Sequence, residues 1–259
     1  MLTIAHISDL HIGASPQAEA RARAVITHLA AMTPRPDVLV VSGDVADHGL
    51  EGEYAVAHDL LALWTGPLVL CPGNHDVREA FASGLLGRPG TGTTGPLDTE
   101  TDIGRVCFLA LDSLVPAPMG ERIDHGELSP ESLVWLDDRL AASIRPTVVV
   151  IHHPPAGLGL PLLEPISLRN ADVYAEVIAR HGHVLATIVG HAHTACAATL
   201  GGRPLLIGGG VYSTLAMAGE LGPDVLIDTA PVVAFHYVED DSIVTHWRAL
   251  DVGSAGIVR

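Results

Sequence analysis

Thr3-Ile4-Ala5-His6-Ile7-Ser8-Asp9-Leu10-His11 decides how the rest of the chain is read: a short apolar run that ends in a carboxylate and an imidazole. Continuous apolar strands belong to sheets covered on both faces, and the same pattern recurs along the chain. Val38–Val41 runs into Gly43-Asp44-Val45-Ala46-Asp47, and Leu68–Leu70 into Gly73-Asn74-His75-Asp76. Thr147–Ile151 runs into His152-His153-Pro154-Pro155, and Ala186–Val189 into Gly190-His191-Ala192-His193. Val106–Leu111 is a further strand of this kind. Between the strands lie helical patterns. Ala18–Met32 carries Val25, Ile26, Leu29 and Met32 at helical spacing, and Glu53–Trp64 carries Leu60, Leu61 and Trp64. Ser129–Ala142 opens with Ser129 as N-cap and Pro130 at the first helical position, and Asn170–His181 starts with Asn170 as cap. Strand alternating with helix makes an α/β sheet.

The last third changes character. Pro204–Ile207, Val232–Val238 and Ser242–Leu250 read as strands, the last two joined across Glu239-Asp240-Asp241 as a hairpin. A second sheet packed on the first is therefore expected. The fold class is α/β, two packed mixed β-sheets flanked by helices, in a single domain over residues 1–259, since no stretch reads as a linker. The Gly/Thr/Pro-rich segment Gly84–Gly95 reads as a flexible loop.

Composition narrows the function. The formal net charge is −16, and every positive side chain is arginine because the chain contains no lysine. Schiff-base chemistry and a P-loop lysine are thereby excluded, and singly scattered arginines argue against a groove for nucleic acid. No apolar run is long enough to span a bilayer. Met1-Leu2-Thr3 leads straight into the first strand without a basic n-region, so a cytoplasmic protein is expected. Cys71, Cys107 and Cys196 form no C-x-x-C pair and read as free thiols. A thiolate ligand at Cys196, close to the last histidine cluster, is a remote alternative. The 15 histidines are the anomaly, and their placement gives them meaning.

In parallel α/β sheets, ligands bind just beyond the carboxyl ends of the strands, and five segments deliver carboxylates, imidazoles and an amide there. In extended chain, residues i and i+2 point to one side, which would let Asp9 face the site with His11, and His191 with His193. His152 and His153 are neighbours and should point apart, so one of them at most is a direct ligand. The glycines before Asp44, Asn74 and His191 permit sharp turns. Each segment alone is ordinary turn chemistry; five in series, each capping an apolar strand, are not. Mixed imidazole and carboxylate donors without thiolate suit Mn, Fe, Zn or Co better than Ca or Mg. The donors are too many for one ion, and two ions about 3.5–4 Å apart, sharing a carboxylate, would use them all.

The blocks Asp9-x-His11, Gly43-Asp44-x-x-Asp47, Gly73-Asn74-His75-Asp76, His152 and Gly190-His191-x-His193 resemble, in order and spacing, the signature of the calcineurin-like metallophosphoesterases. Within that superfamily the chain is most similar to bacterial class III cyclic nucleotide phosphodiesterases and glycerophosphodiesterases. Leu111-Asp112-Ser113, His125-Gly126-Glu127-Leu128, His152-His153-Pro154-Pro155 and Ser167-Leu168-Arg169-Asn170 carry that finer likeness. The resemblance implies that Asp9, His11, Asp44 and His193 bind one divalent metal. Asp44 would bridge to a second metal that also takes Asn74, His152 and His191. His153 would stand behind the ligands, and Asp47 would support the site. His75 would lie beside the scissile phosphate, with Asp76 orienting its ring. The implied cofactors are Mn²⁺ or Fe ions, with Zn²⁺ or Co²⁺ as alternatives. The implied reaction is in-line attack by a metal-bound hydroxide on a small anionic phosphodiester, 3′,5′-cyclic AMP being the first candidate.

Arg78 and Arg169 are the arginines nearest the motif loops, and their sparseness favours a monoanionic diester over a monoester. A phosphomonoesterase acting on nucleotides or phosphoproteins is the alternative. A nuclease and a non-catalytic metal-bound interaction module follow behind it. The loops at residues 84–104 and 156–169 are candidates for pocket walls or a homodimer contact, on equal terms with plain solvent-exposed connections. Gly208-Gly209-Gly210 reads as turn-forming rather than as a close approach to the site.

Overall fold

A strand with apolar side chains on both faces needs cover on both, and here the two faces are covered by different layers. A computed structural model describes residues 1–88, 95–118 and 121–251. The first half runs β1 (Leu2–Ile7), α1 (Pro16–Ala31), β2 (Val38–Ser42), α2 (Glu51–Leu61), β3 (Leu68–Cys71), α3 (Arg78–Leu85), β4 (Thr99–Ile103), β5 (Val106–Ala110) and α4 (Pro130–Ala142). The second half runs β6 (Thr147–Ile151), α5 (Ala171–Arg180), β7 (Val184–Val189), β8 (Cys196–Leu200), β9 (Arg203–Ile207), β10 (Thr214–Leu215), β11 (Val225–Leu226), β12 (Val232–Glu239) and β13 (Ser242–Ala249).

Two large mixed sheets form, with strand orders β13-β12-β1-β2-β3 and β4-β5-β6-β7-β9-β8. Ala5, Ile7, Leu39 and Val41 pack with residues of α1, α2 and α3 on the outer face of the first sheet. Ile4, Val38 and Val40 point the other way and meet Phe108, Val148, Val150 and Ile188 of the second sheet. Leu109, Val149, Ile151 and Val189 face α4 and α5. Helix, sheet, sheet and helix thus stack in four layers. The carboxyl ends of β1, β2 and β3 and of β6 and β7 come to one edge.

The two-sheet expectation holds, but the strands are shared out differently. The C-terminal hairpin does not build the second sheet. β12 adds antiparallel to β1, with Ala5 opposite Phe235, and β13 follows it across the turn at Asp240. β1 pairs on its other side with β2, so its open edge is what the hairpin covers. The second sheet is instead founded on β5, β6 and β7 in parallel. Ser129 and Asn170 occupy the two expected N-cap positions. Ser129 Oγ accepts from Ser132 N at 3.0 Å, whereas Asn170 bonds both backbone groups of Leu128 and leaves its own helix uncapped by side chain. The expected loop Gly84–Gly95 begins inside α3, and residues 89–94 lie outside the described residues. β4 falls within the 84–104 segment, and a short 3₁₀ turn, Glu164–Ile166, within 156–169. Among the described residues no helix is long and apolar enough to cross a membrane.

One polar line crosses the first sheet on its buried face. Ser42 Oγ meets His6 Nε2 at 2.7 Å, His6 Nδ1 meets His236 Nε2 at 3.3 Å, and His236 Nδ1 meets Thr245 Oγ1 at 2.8 Å. Burial depresses His6 to about 3 and also lowers His236. The native state therefore binds fewer protons here than the unfolded chain, so stability is full above pH 6.5 and is lost as pH falls from there toward 3. His6 alone should cost roughly 2 kcal/mol between pH 6.5 and pH 5. Thermal melts across that window should show the loss in the wild type, and a shallower slope in His6→Gln.

Candidate metal centre

Three of the five strand ends, those of β1, β2 and β7, turn into the left-handed region. Asp9, His11, Asp44, His191 and His193 take φ of 58°, 48°, 50°, 64° and 51°. That left-handed conformation costs a non-glycine residue of order 1–3 kcal/mol and persists where the surroundings over-determine it. Asp9 and His11 do reach one ligand group together, whereas His193 joins that group and His191 joins His152 and His153. They get there through these turns and not through the i, i+2 geometry of extended chain. Backbone bonds lock the turns: Asp9 N donates to Gly43 O at 3.1 Å and His11 N to Asp44 O at 3.0 Å. The glycines act mainly by letting groups close in. A Cβ at Gly73 would lie 2.2 Å from Asp44 Oδ1, and one at Gly190 2.0 Å from Ser8 Oγ. Gly210, expected only to form a turn, also approaches the site, since a Cβ there would sit 3.0 Å from His193 Nδ1.

Hydrogen-bond partners assign the ring protons, because carbonyl and carboxylate oxygens only accept. His152 Nδ1 donates to Ser42 O at 2.7 Å, and His11 Nδ1 to Asp47 Oδ1 at 2.8 Å. His193 Nδ1 donates to Ser213, whose Oγ lies at 2.8 Å and carbonyl at 3.3 Å. His191 Nε2 donates to Ile166 O at 3.1 Å, so the 156–169 segment helps to build the site. Each ring is left with a lone pair on its other nitrogen, the arrangement that metal-binding histidines require.

The remaining lone pairs of His11, His193 and His152 converge with the carboxylates. His11 Nε2 and His193 Nε2 face each other at 3.3 Å, with Asp9 Oδ1 3.4 Å from His193 Nε2. Asp44 Oδ2 lies 3.7 Å from His11 Nε2 and 3.4 Å from His152 Nε2, between the two groups. Asn74 Oδ1 is 3.2 Å from His152 Nε2. Asp9 Oδ2 is buried without a hydrogen-bond partner. So many acceptors turned on one another attract cations, or protons where no cation is bound.

The ligand atoms of Asp9, His11, Asp44 and His193 all lie within 4.8 Å of one another, and so do those of His152, His153 and His191. His153 joins that second group, which corrects the expectation that it points away from His152; its Nδ1 is engaged with Ser113 Oγ at 2.7 Å, and its Nε2 is buried without a hydrogen-bond partner. Burial opposes charge on His152, but Asp44, Asp9 and the Ser42 carbonyl outweigh it and push the ring up to about 9. This site attracts positive charge. Cys71, Cys107 and Cys196 are free, and Cys196 belongs to neither group, so the thiolate alternative has no support in the geometry.

His75 stands at the rim. Its Nδ1 donates to Asp47 O at 2.7 Å, and its ring meets His11 edge-on with centroids 4.5 Å apart. Asp76 does not touch that ring, which corrects the orienting role expected of it. Its carboxylate accepts from the backbone of Gly73, Val45 and Ala46 and from the Tyr54 hydroxyl, at 2.9 to 3.2 Å. Asp76 thereby pins the Asn74-His75 loop to the Asp44 loop, and burial, with the neighbouring Asp44 charge, raises it to about 6. Asp47 does the orienting, since it holds both His11 and His75.

A cavity of about 690 Å³ opens beside His75, walled by Val77, Leu114, Pro116, Pro118 and Ile123, with His48, Glu79, Glu121 and Arg122 also at its lining. Of the two arginines expected near the substrate, Arg78 is engaged and Arg169 does not line the cavity. Arg78 is forked onto Asp112 and also donates to Leu114 O, and Arg169 turns to Pro165 O. Arg122 and Asp124, which the sequence did not single out, stand there instead. No motif marks them, because the 50 residues between Asn74 and Asp124 close only in three dimensions.

Comparison with known proteins agrees with this geometry. The family model described as calcineurin-like phosphoesterase matches residues 2–195. A probable cyclic nucleotide phosphodiesterase of Rhodococcus erythropolis is 31% identical over 252 residues, covering 93% of this chain and 81% of its own. The glycerophosphodiester phosphodiesterase GpdQ of Enterobacter lignolyticus is 30% identical, covering 74% of this chain and 71% of its own. The crystal structure of a dimetal phosphatase from Danio rerio, 17% identical, shares the fold over 96% of both chains with a TM-score of 0.74. With the family model spanning the five motif blocks and the folded edge bringing them together, the chain belongs to the calcineurin-like phosphoesterase family of metal-dependent phosphoric ester hydrolases.

Proposed function

We propose that the chain hydrolyses a small phosphodiester at a centre of two divalent ions, with a 3′,5′-cyclic nucleotide such as cyclic AMP as the substrate class. Asp9, His11, Asp44 and His193 would hold one ion. Asp44, Asn74, His152 and His191 would hold the other, with Mn²⁺ or iron favoured by the donor set and Zn²⁺ or Co²⁺ next. The observation that carries this reading is the position of Asp44 Oδ2 between His11 and His152, in reach of both lone pairs. Held there, two such ions would supply a water with its pKa lowered toward about 7 and would offset charge building on the phosphoryl oxygens.

The chain's own groups do the rest. Asp47 holds His75 by its Nδ1, which leaves Nε2 to carry a proton to the departing ester oxygen. Burial lowers the proton affinity of His75, and an anionic phosphate beside it restores that affinity. The apolar wall of the cavity takes the part of the ester that does not react. Arg78 is tied to Asp112, and at the lining Glu79 and Glu121 offset the single charge of Arg122. A monoanion is therefore better placed than a dianion. Relatives named cyclic nucleotide phosphodiesterase and glycerophosphodiester phosphodiesterase support the same class. Free cysteines fit the reducing, cytoplasmic setting proposed for it.

Hydrolysis of bis-p-nitrophenyl phosphate and p-nitrophenyl phosphate, after chelation and Mn²⁺ reloading, checks this. The diester should be cleaved faster, and a screen of cyclic nucleotides should then find a substrate. Preference for the monoester would move the assignment to a phosphatase.

A further inference from the structure

Asn74 is an amide, and an amide offers one acceptor atom and two donors on one nitrogen. As a ligand it works only with its oxygen inward, so something must hold the nitrogen outward. Asn74 Nδ2 donates to Asp124 Oδ1 at 3.3 Å, and this leaves Oδ1 facing His152 Nε2. The same Asp124 oxygen accepts from Arg122 Nε at 2.5 Å. One carboxylate thus reaches the metal cluster on one side and the wall of the cavity on the other.

Arg122 is held but not used up. Its Nη1 lies 3.0 Å from His75 Nδ1. That nitrogen already donates its proton to Asp47 O, so it has no lone pair to give, and the contact is no hydrogen bond. The guanidinium therefore keeps donors free beside His75, at the mouth of the cavity, with its side chain 47% exposed. Planar, permanently charged and fork-shaped, it matches a pair of phosphoryl oxygens. Arg78, by contrast, is a post that anchors the Leu114 end of the same wall.

We propose that Asp124 is a positioning residue that joins the substrate wall to the metal cluster through Asn74, and that Arg122, which it holds, binds the anionic phosphoryl group of the diester. This rests on the diesterase reading above. The two side chains have separable roles. Asp124 acts on metal affinity through Asn74 and on KM through Arg122, whereas Arg122 acts on substrate affinity alone.

The full-length chain, stripped by chelation and titrated with Mn²⁺ by calorimetry, tests it together with kcat and KM on bis-p-nitrophenyl phosphate. Asp124→Ala should weaken one of two Mn²⁺ by about tenfold to a hundredfold, the range seen when a partner behind a metal ligand is removed. Asp124→Asn keeps an acceptor for Asn74 and should return Mn²⁺ affinity to near wild type. Arg122→Gln should bind both Mn²⁺ as the wild type does while KM rises about tenfold, the size of one charge-assisted hydrogen bond, with kcat much less affected. Wild-type Mn²⁺ binding in Asp124→Ala, or wild-type KM in Arg122→Gln, would overturn the proposal. So would metal loss in Arg122→Gln. If Asp124→Ala does not fold, Asp124→Ser is the second truncation. A wild type that prefers p-nitrophenyl phosphate would defeat the diesterase reading instead, and the Mn²⁺ titration of Asp124→Ala would still decide the role of Asp124.

Discussion

Asp44→Ala is expected to abolish metal-dependent ester hydrolysis, with a fall in rate of about three orders of magnitude or more. The residue has no substitute in the site. One oxygen, Oδ2, lies between His11 and His152, and the other, Oδ1, accepts from His75 N at 2.9 Å. Removing the carboxylate takes away the anion shared by both ion positions and also the anchor of the loop that carries Asn74 and His75. Its charge is well matched to its place. Burial opposes ionisation, but His152, His75 and His11 hold the carboxyl well below the usual range. Elemental analysis after Mn²⁺ reloading should find fewer than two ions per chain in the variant. Substantial metal-dependent activity in Asp44→Ala would mean that the two positions do not lean on one residue.

His75→Ala should behave in the opposite way, with full metal content and a rate reduced by about 10²- to 10⁴-fold. The ring lies at the rim of the cluster, its Nδ1 is committed to Asp47 O, and its edge rests on His11. It therefore bears on the substrate and not on the ions. The expected split, rate lost and metal kept, separates it from every side chain assigned as a ligand. If the variant loses an ion instead, His75 belongs to the ion-binding set, in the company of the His11-Asp47-His75 group that also lies within ligand distance.

The likeness between sequence and structure is greatest where chemistry and strand ends coincide. Asp9, His11, Asp44, Asn74, His152, His191 and His193 were legible because each follows an apolar run at the end where α/β sheets present their ligands. What sequence could not supply was the means of bringing them together. The left-handed turns at Asp9, His11, Asp44, His191 and His193 are held by long-range bonds such as His191 N to Asp9 Oδ1, across 182 residues. No local propensity predicts them.

Asp76 shows the same limit. The family resemblance implied that it orients the His75 ring, but its buried oxygens are taken by Val45, Ala46, Gly73 and Tyr54. Contact in space, not adjacency in sequence, decided which acid holds the imidazole.

The elements that escaped the sequence reading are short or weakly patterned. α3 spans Arg78–Leu85, a stretch assigned to no element from the sequence, and only its last two residues fall in the segment read as loop. β4, Thr-Glu-Thr-Asp-Ile, is an edge strand with alternating exposure and few apolar residues, and β8 has the same alternation. The hairpin β12–β13 was read correctly as a hairpin and assigned to the wrong sheet. Its partner was fixed by which strand had an open edge, a property of the assembled sheet.

The proposed chemistry needs a pair of ions acting together on a phosphodiester. The most direct test is the rate of bis-p-nitrophenyl phosphate hydrolysis by the chelated wild-type chain as Mn²⁺ is returned in measured equivalents. The rate should rise until two ions are bound per chain and then level off. Full activity with a single ion bound, or hydrolysis that does not depend on added metal, would contradict it.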